Sequence, residues 1–303
     1  MPFSWNDLLW GLAAPLLTAA GLRCVLALIS QRFFDDAKND SDSTRTTSTL
    51  TTPASALETS LPLVVGAAVG YFMLNLGPWV PDAHYEWLPI GIAIAMLTAS
   101  AVGLLGKSAL IRFGILPITY GTVAAVAGYL LMPTWDDLAP PYVPYLLCWC
   151  VGVAAVSIAS ELSPESSRWP FAIVWLGTCL AIAAIVAISE SLRFAQVAGL
   201  TFGASLGLAV TGLILGRSLL GGTGLTLTTY LSGILLIAHV NSWSNVPMIS
   251  YWLPLAGPFL AAVLGGLLPE KVSPSVRATM VILAAAIPST IAVILGIVAT
   301  LSE

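Results

Sequence analysis

The sequence predicts an all-α, polytopic transmembrane helical bundle of about ten spans. Three observations carry that fold class. Of 303 residues, 57% are apolar and only 9% charged, against roughly 25% charged in ordinary soluble domains. The mean hydropathy is +0.92. Apolar stretches near the ~20 residues that a helix needs to cross a bilayer recur ten times between short turns. Too little polar surface remains to cover a water-soluble globule, which excludes a soluble enzyme. A net charge of −4 without a basic patch excludes a disordered or nucleic-acid-binding chain. In lipid the backbone must pair internally, so helices are expected, and no alternating pattern suggests a barrel.

The elements follow in order. Span one covers 7–30; residues 1–22 of the chain hold Asp7 and no Lys or Arg, so the basic start of a secretory signal is missing and the span is expected to be retained. Residues 31–60 form the one long polar segment. From Ser41 to Ser60, twelve of twenty residues are Ser or Thr, after Asp35, Asp36 and Asp40. This composition predicts a disordered cytoplasmic linker, a passive tether or a docking tail. Residues 61–303 then form a nine-span bundle, at about 61–80, 88–106, 114–133, 143–160, 169–189, 194–216, 225–240, 247–268 and 278–300. The eighth of the ten spans is short and the least clearly defined.

Charge sets the expected orientation. Arg32, Lys38, Arg45, Lys107, Arg112, Arg168, Arg217, Lys271 and Arg277 all fall on one side of a ten-span chain, and only Arg193 on the other. Lys and Arg gather on the cytoplasmic face. Both termini are therefore expected outside an inner (plasma) membrane. Arg23, near the inner end of span one, is expected to snorkel to the interface. The spans read as free of Asp and Glu, which argues against a carboxylate-driven proton antiporter. Trp5, Trp10, Trp79, Trp87, Trp135, Tyr142, Trp243, Tyr251 and Trp252 mark outer span ends, either an interfacial belt or an aromatic-lined mouth.

Self-comparison suggests a repeat. A shift of 55 maps Leu61-Pro62 onto Leu116-Pro117, and a shift of 110 maps Lys107-Ser108 onto Arg217-Ser218, Tyr120 onto Tyr230 and Ser163-Pro164 onto Ser273-Pro274. This predicts related four-helix units at 59–168 and 165–277.

Several constellations invite chemistry. Gly203-Ala204-Ser205-Leu206-Gly207 fits G-x-S-x-G but lies within an apolar helix, without the strand-turn-helix setting of a nucleophile elbow. Gly199, Gly203 and Gly207 recur every four residues and offer a stripe for close approach of another membrane helix. Gly216 to Thr223 has phosphate-loop spacing with Gly222 in place of Lys, so a flexible turn is expected. Cys24, Cys148, Cys150 and Cys179 read as small buried apolar residues. Asp82, His84 and Glu86 stand at alternate positions, an oxygen-plus-imidazole set or ordinary loop polarity. Pro15, Pro258 and Pro288 interrupt three spans and free backbone carbonyls, with Thr18, Ser289 and Thr290 nearby.

The candidate ligand site is thus the outer half of the bundle, beneath the loops after spans two, four and eight. It joins His84, Asp82, Glu86 and His239 to Pro15, Pro258, Pro288 and Thr290, with Asp136 and Asp137 at the rim. No catalytic set, metal site or cofactor is called for. The expected role is binding or transport of a small neutral or lipophilic solute. The alternatives are a non-catalytic membrane subunit that assembles partners, and a lipid-modifying enzyme. The bilayer is the expected environment, and no nucleic acid is expected as a partner.

Overall fold

The computed structural model describes residues 5–38, 53–77, 80–105, 110–136, 138, 140–163, 168–189, 191–269 and 271–302. Arg45, Pro78, Trp79, Lys107, Ser108, Asp137 and Pro164 lie outside the described residues, as does the middle of the Ser/Thr-rich linker. Among the described residues, ten helices are long and apolar enough to cross a membrane. The all-α transmembrane bundle is therefore the observed architecture.

Helix α1 (Ala14–Lys38) continues a helical turn at Trp5–Leu8 and a π-helical segment at Leu9–Ala13. Then follow α2 (Pro53–Met73), α3 (Leu88–Leu104), α4 (Leu116–Leu131), α5 (Tyr142–Leu162), α6 (Trp169–Ile188), α7 (Leu192–Ile214), α8 (Gly224–Asn241), α9 (Met248–Leu267) and α10 (Pro274–Leu301). A 3-10 turn, His84–Trp87, leads into α3, and a π-helical segment, Ile111–Ile115, into α4. Each π-helical segment directly precedes the turn that carries Pro15 or Pro117. The carbonyl that a proline cannot serve thus falls in a turn already widened by one residue.

Successive helices run antiparallel. Trp5 and Ser302 mark the same end, the terminal face, and the α7–α8 turn marks the other, the basic face. Cross-contacts fix the first end: Gln196 Nε2 donates to Asp7 at 3.1 Å, Arg193 Nε donates to Leu76 O at 2.6 Å, and Asn241 meets His84 at 3.1 Å.

Helix α8 occupies the centre. It packs against α3, α4, α5, α6, α7 and α9, and every residue from Gly224 to Ala238 is buried. Its mean hydropathy of 1.2 is the lowest of the spans, against 2.6 for α6 and α10. A helix sheathed by protein has no lipid to satisfy, so it can carry Thr226, Thr228, Thr229 and Ser232. Helix α1 lies on the opposite flank from α10, against α2 and α7, while α9 and α10 form the closest pair.

The basic face differs from the sequence reading in three ways. First, Arg23 does not snorkel; it is 1% exposed. Its guanidinium donates to Leu208 O, to Ser218 O, and to Leu219 O at 2.8 Å. Burial is tolerated because Glu58 lies 3.9 Å away and itself accepts from Arg217 at 2.7 Å. Second, the segment 31–60 is helical at both ends, through Lys38 and from Pro53. Glu58, Thr59 and Ser60 are buried against the α7–α8 turn: Thr59 Oγ1 donates to Gly221 O at 2.7 Å and Ser60 Oγ to Gly222 O at 2.9 Å. Third, span helices do hold carboxylates, Glu58 in α2 and Glu161 in α5.

These contacts also settle the phosphate-loop resemblance. Gly216 and Gly222 have φ of +62° and +81°, so the turn needs glycine there. Its carbonyls converge on Arg23, Thr59 and Ser60, whereas a phosphate cradle needs converging N–H groups.

The glycine stripe is used internally. A Cβ on Gly203 or Gly207 would meet Leu12 O at 2.7 Å or Leu16 O at 2.3 Å of α1 and its π-helical lead-in, while one on Gly199 would meet nothing within 4 Å. Ser205 is buried in that α7 helix with no hydrogen-bond partner among the described residues. Among the cysteines only Cys179 is fully buried, and Cys148 is exposed on α5. Tyr120 and Tyr230, equated by the proposed repeat, are both buried in the second turn of their helices.

Removing Arg23 leaves the carbonyls of Leu208, Ser218 and Leu219 without this donor and takes one of two cations from the buried Glu58. Arg23→Ala is expected to cost about 3–5 kcal/mol, read as a large fall in thermal midpoint in detergent. A midpoint within a degree or two of the parent would refute the structural role of this cluster.

Candidate functional site

At the terminal face, α8 ends in His239-Val240-Asn241. These residues, with Trp135, Leu138, Ser242 and Trp243, line an open cavity of about 360 Å³. The helix reaches the surface there because its buried run stops at Ala238 and Ser242 takes an extended backbone. The loop after α4 supplies Trp135, and the turn before α3 supplies His84 against it, ring centroids 5.4 Å apart and edge-on.

The two imidazoles are held differently. Asn241 Nδ2 donates to Ile237 O at 2.8 Å and lies 3.1 Å from His84 Nε2. With both partners on the amide nitrogen, His84 Nε2 accepts, and its proton sits on Nδ1. His239 Nδ1 lies 2.8 Å from the Tyr145 hydroxyl. That leaves Nε2 as the atom of this ring that can address a molecule in the cavity. Neither imidazole hydrogen-bonds a carboxylate among the described residues: His239 meets Tyr145 and His84 meets Asn241.

Below His239 the walls become aromatic. Its ring meets Tyr251 edge-on at 5.1 Å and Tyr145 at 5.5 Å, and Tyr145 meets Trp252 at 5.9 Å. Trp149 Nε1 donates to Ser232 O at 3.3 Å, one further step inward. Tyr145, Trp149 and Tyr251 are almost completely buried. Tyr145 and Trp149 went unnoticed in the sequence. The signal that finds them is the spacing Tyr145, Trp149, Gly152, Val156, one face of α5 at helical period. Tyr251 and Trp252 read as belt residues, yet they point into protein. Trp5 and Trp243, 87% and 99% exposed, are the surface aromatics of this end.

The remaining candidates separate. Glu86 Oε2 accepts from the backbone N–H groups of Asp82 and Ala83, at 2.8 and 3.1 Å, and so closes its own turn. Asp82 and Asp136 are exposed. Asp82, His84 and Glu86 do not share a side because the segment coils into a 3-10 turn instead of extending. No three His, Cys, Asp or Glu side chains converge among the described residues. Arg193 lies over the Tyr85 ring at 5.7 Å, beside the cavity and outside it.

The prolines do not line one chamber. Pro15 is buried in the α1–α2–α7 flank, its carbonyl oxygen 2.7 Å from where a Cβ on Gly66 would sit. Pro258 and Pro288 are buried on the adjoining helices α9 and α10. Thr290 lines a separate groove of about 400 Å³ between α6 and α10, with Gly177, Thr178 and Ser289. Of the sequence-derived set, the structure brings together His84 and His239 through Asn241. It adds Pro258 only through the α9 backbone behind Trp252.

Compared with known proteins, the chain matches no family model and no curated relative.

Two tyrosines on α5 provide a contrast. Tyr145→Phe removes the hydroxyl that holds His239 and is expected to cost about 1 kcal/mol. Tyr142, whose buried hydroxyl has no hydrogen-bond partner among the described residues, should tolerate Phe without loss. Thermal unfolding of both variants in one detergent checks the pair; equal losses would contradict it.

Proposed function

We propose that this protein resides in the plasma membrane and binds, and moves across it, a small uncharged or lipophilic solute admitted at the terminal face. The observation that carries this reading is the cavity of about 360 Å³ in which His239, Asn241 and two tryptophans meet. Its size and make-up, mostly apolar walls with a few polar groups, suit a small organic molecule. No Lys, Arg, Asp or Glu lines it among the described residues, which favours an uncharged guest. Inward of it lie aromatic side chains and then the hydroxyl-bearing centre of α8, a polar element in an otherwise apolar bundle.

The orientation follows from charge. Nine basic loop or linker residues sit on one side and Arg193 alone on the other, which supports placing the basic face in the cytoplasm and both termini outside. A fluorescent reporter that lights only in the cytoplasm should stay dark when fused after Glu303; a bright fusion would reverse the orientation.

A second reading, a non-catalytic subunit, draws on a different observation. The α6–α10 groove is lined by Gly177, Ala181, Ala286, Ser289 and other small residues, the kind of surface against which a membrane helix packs closely.

Flux separates the two. In proteoliposomes, a panel of uncharged solutes should include one with saturable uptake, and His239→Ala should lower it about tenfold, the loss of one well-placed hydrogen bond, while Tyr145→Phe, which loses the same internal bond to His239, should retain most of the uptake. Saturable uptake of none of them, or loss of flux only in step with loss of fold, would sink the transport reading.

A further inference from the structure

The aromatic cluster beneath His239 holds two donors that the protein does not use. The Tyr251 hydroxyl and Trp252 Nε1 are both buried with no hydrogen-bond partner among the described residues, and Tyr251 is 2% exposed. A buried donor left unpaired is costly, so native structures pair nearly all of them. Here the two stand on neighbouring residues of α9. Both line a closed seam with Tyr145, Ser232, Leu236 and Leu255, too narrow for a water-sized sphere.

The seam has two neighbours. Towards the terminal face, Tyr145 and Tyr251 contact His239, which lines the cavity already described. Towards the side, Trp252 and Leu255 also line an open groove of about 240 Å³ between α5 and α9, with Gly152, Ala155, Ala256 and Phe259. That groove is almost wholly apolar, and Val151 and Leu260 beside it are exposed at span depth, where the surrounding medium is acyl chain. Trp252 is thus the wall between an apolar trough open to the bilayer and a pair of idle donors.

The backbone behind that wall is loosened. Pro254 and Pro258 both lie inside α9. Each lacks an N–H, which frees the carbonyls of Ser250 and Pro254 on either side of Tyr251 and Trp252. A helix with two missing rungs bends there at lower cost than an intact one.

We infer that the α5–α9 groove and the Tyr251–Trp252 seam form a lateral binding site for an uncharged, single-chain acyl ester entering from the bilayer. The chain lies along Gly152, Ala155, Ala256 and Phe259. The ester carbonyl accepts from Trp252 Nε1 and the Tyr251 hydroxyl once Trp252 moves aside. No charged side chain lines the groove or the seam among the described residues, so a carboxylate head would enter without a counter-charge, and a bare alkane would leave both donors unpaired. This assignment rests on the proposed solute-binding role of the same helices and adds the class of ligand and its route.

Photolabelling tests it with the full chain in nanodiscs. The probes are methyl dodecanoate with a terminal diazirine, the corresponding free acid, and the corresponding alkane. Labelled positions are mapped by proteolysis and mass spectrometry. The ester should label the Gly152–Val156 or Ala256–Phe259 stretches and be displaced by unlabelled ester. Tyr251→Phe and Trp252→Phe should each reduce that labelling by up to about tenfold, as expected for one lost hydrogen bond. Free Tyr251→Phe protein should unfold at the parent temperature or above it, because the deleted hydroxyl has no partner among the described residues. Equal labelling by all three heads, or labelling indifferent to both substitutions, would overturn the site. Label confined to Trp135, Asn241 and Trp243 would overturn the lateral route and leave solute binding at the terminal face standing. Label absent from α5, α8 and α9, together with absent solute flux, would remove both.

Discussion

Everything central in this bundle depends on one buried guanidinium. The chain must turn back after α7 and deliver a short, hydroxyl-bearing helix into the middle of the protein. That turn is itself buried, from Leu219 to Thr223, and a buried turn exposes carbonyls that no helix satisfies. Arg23 supplies donors for two of the carbonyls there, Ser218 O and Leu219 O, and for Leu208 O in α7, and Thr59 and Ser60 for two more in the turn. The charge is balanced by Glu58, which Arg217 of the same turn also holds. Helices α1 and α2 are thereby tied to the entry of α8 at the basic face. With that entry fixed, α8 runs to the terminal face and presents His239 and Asn241 where the loops after α2 and α4 bring His84 and Trp135.

The spans were legible because lipid exposure is a composition effect, and nine of the ten helices carry a lipid-facing side. The same logic undervalues α8. Hydropathy measures fitness for lipid, and a helix that touches none can be polar without penalty, so the weakest span signal marks the centre of the fold. Arg23 and Glu58 were readable only as separate events, a charge near a span end and an acid within a polar linker. Their pairing is tertiary, and no local pattern announces it. The Ser/Thr-rich composition likewise conceals that Thr59 and Ser60 cap a turn more than 160 residues away.

At the site, the loops that meet were foreseeable from topology, because an even number of spans returns His84 and His239 to one face. The side chains that give the place its character were harder to see. Tyr251 and Trp252 carry the same sequence signature as an interfacial anchor, an aromatic pair at a span start; which way they point depends on the rotation of α9 against α5. The prolines share a local effect and differ in use. Pro15 lets α1 settle on Gly66 and Gly70, whereas Pro254 and Pro258 slacken the stretch of α9 that backs two unpaired donors.

The enclosure of α8 also bears on how the protein is made. A nascent span ordinarily leaves the insertion machinery by partitioning into lipid, one helix at a time. With an unbroken buried run from Gly224 to Ala238 and Thr226, Thr229 and Ser232 within it, α8 has little to gain from lipid alone. Its membrane entry is expected to be collective, since the surfaces that cover it belong to α3 to α7 and to α9. The helix that holds the centre of the finished bundle is therefore a guest of its neighbours during synthesis.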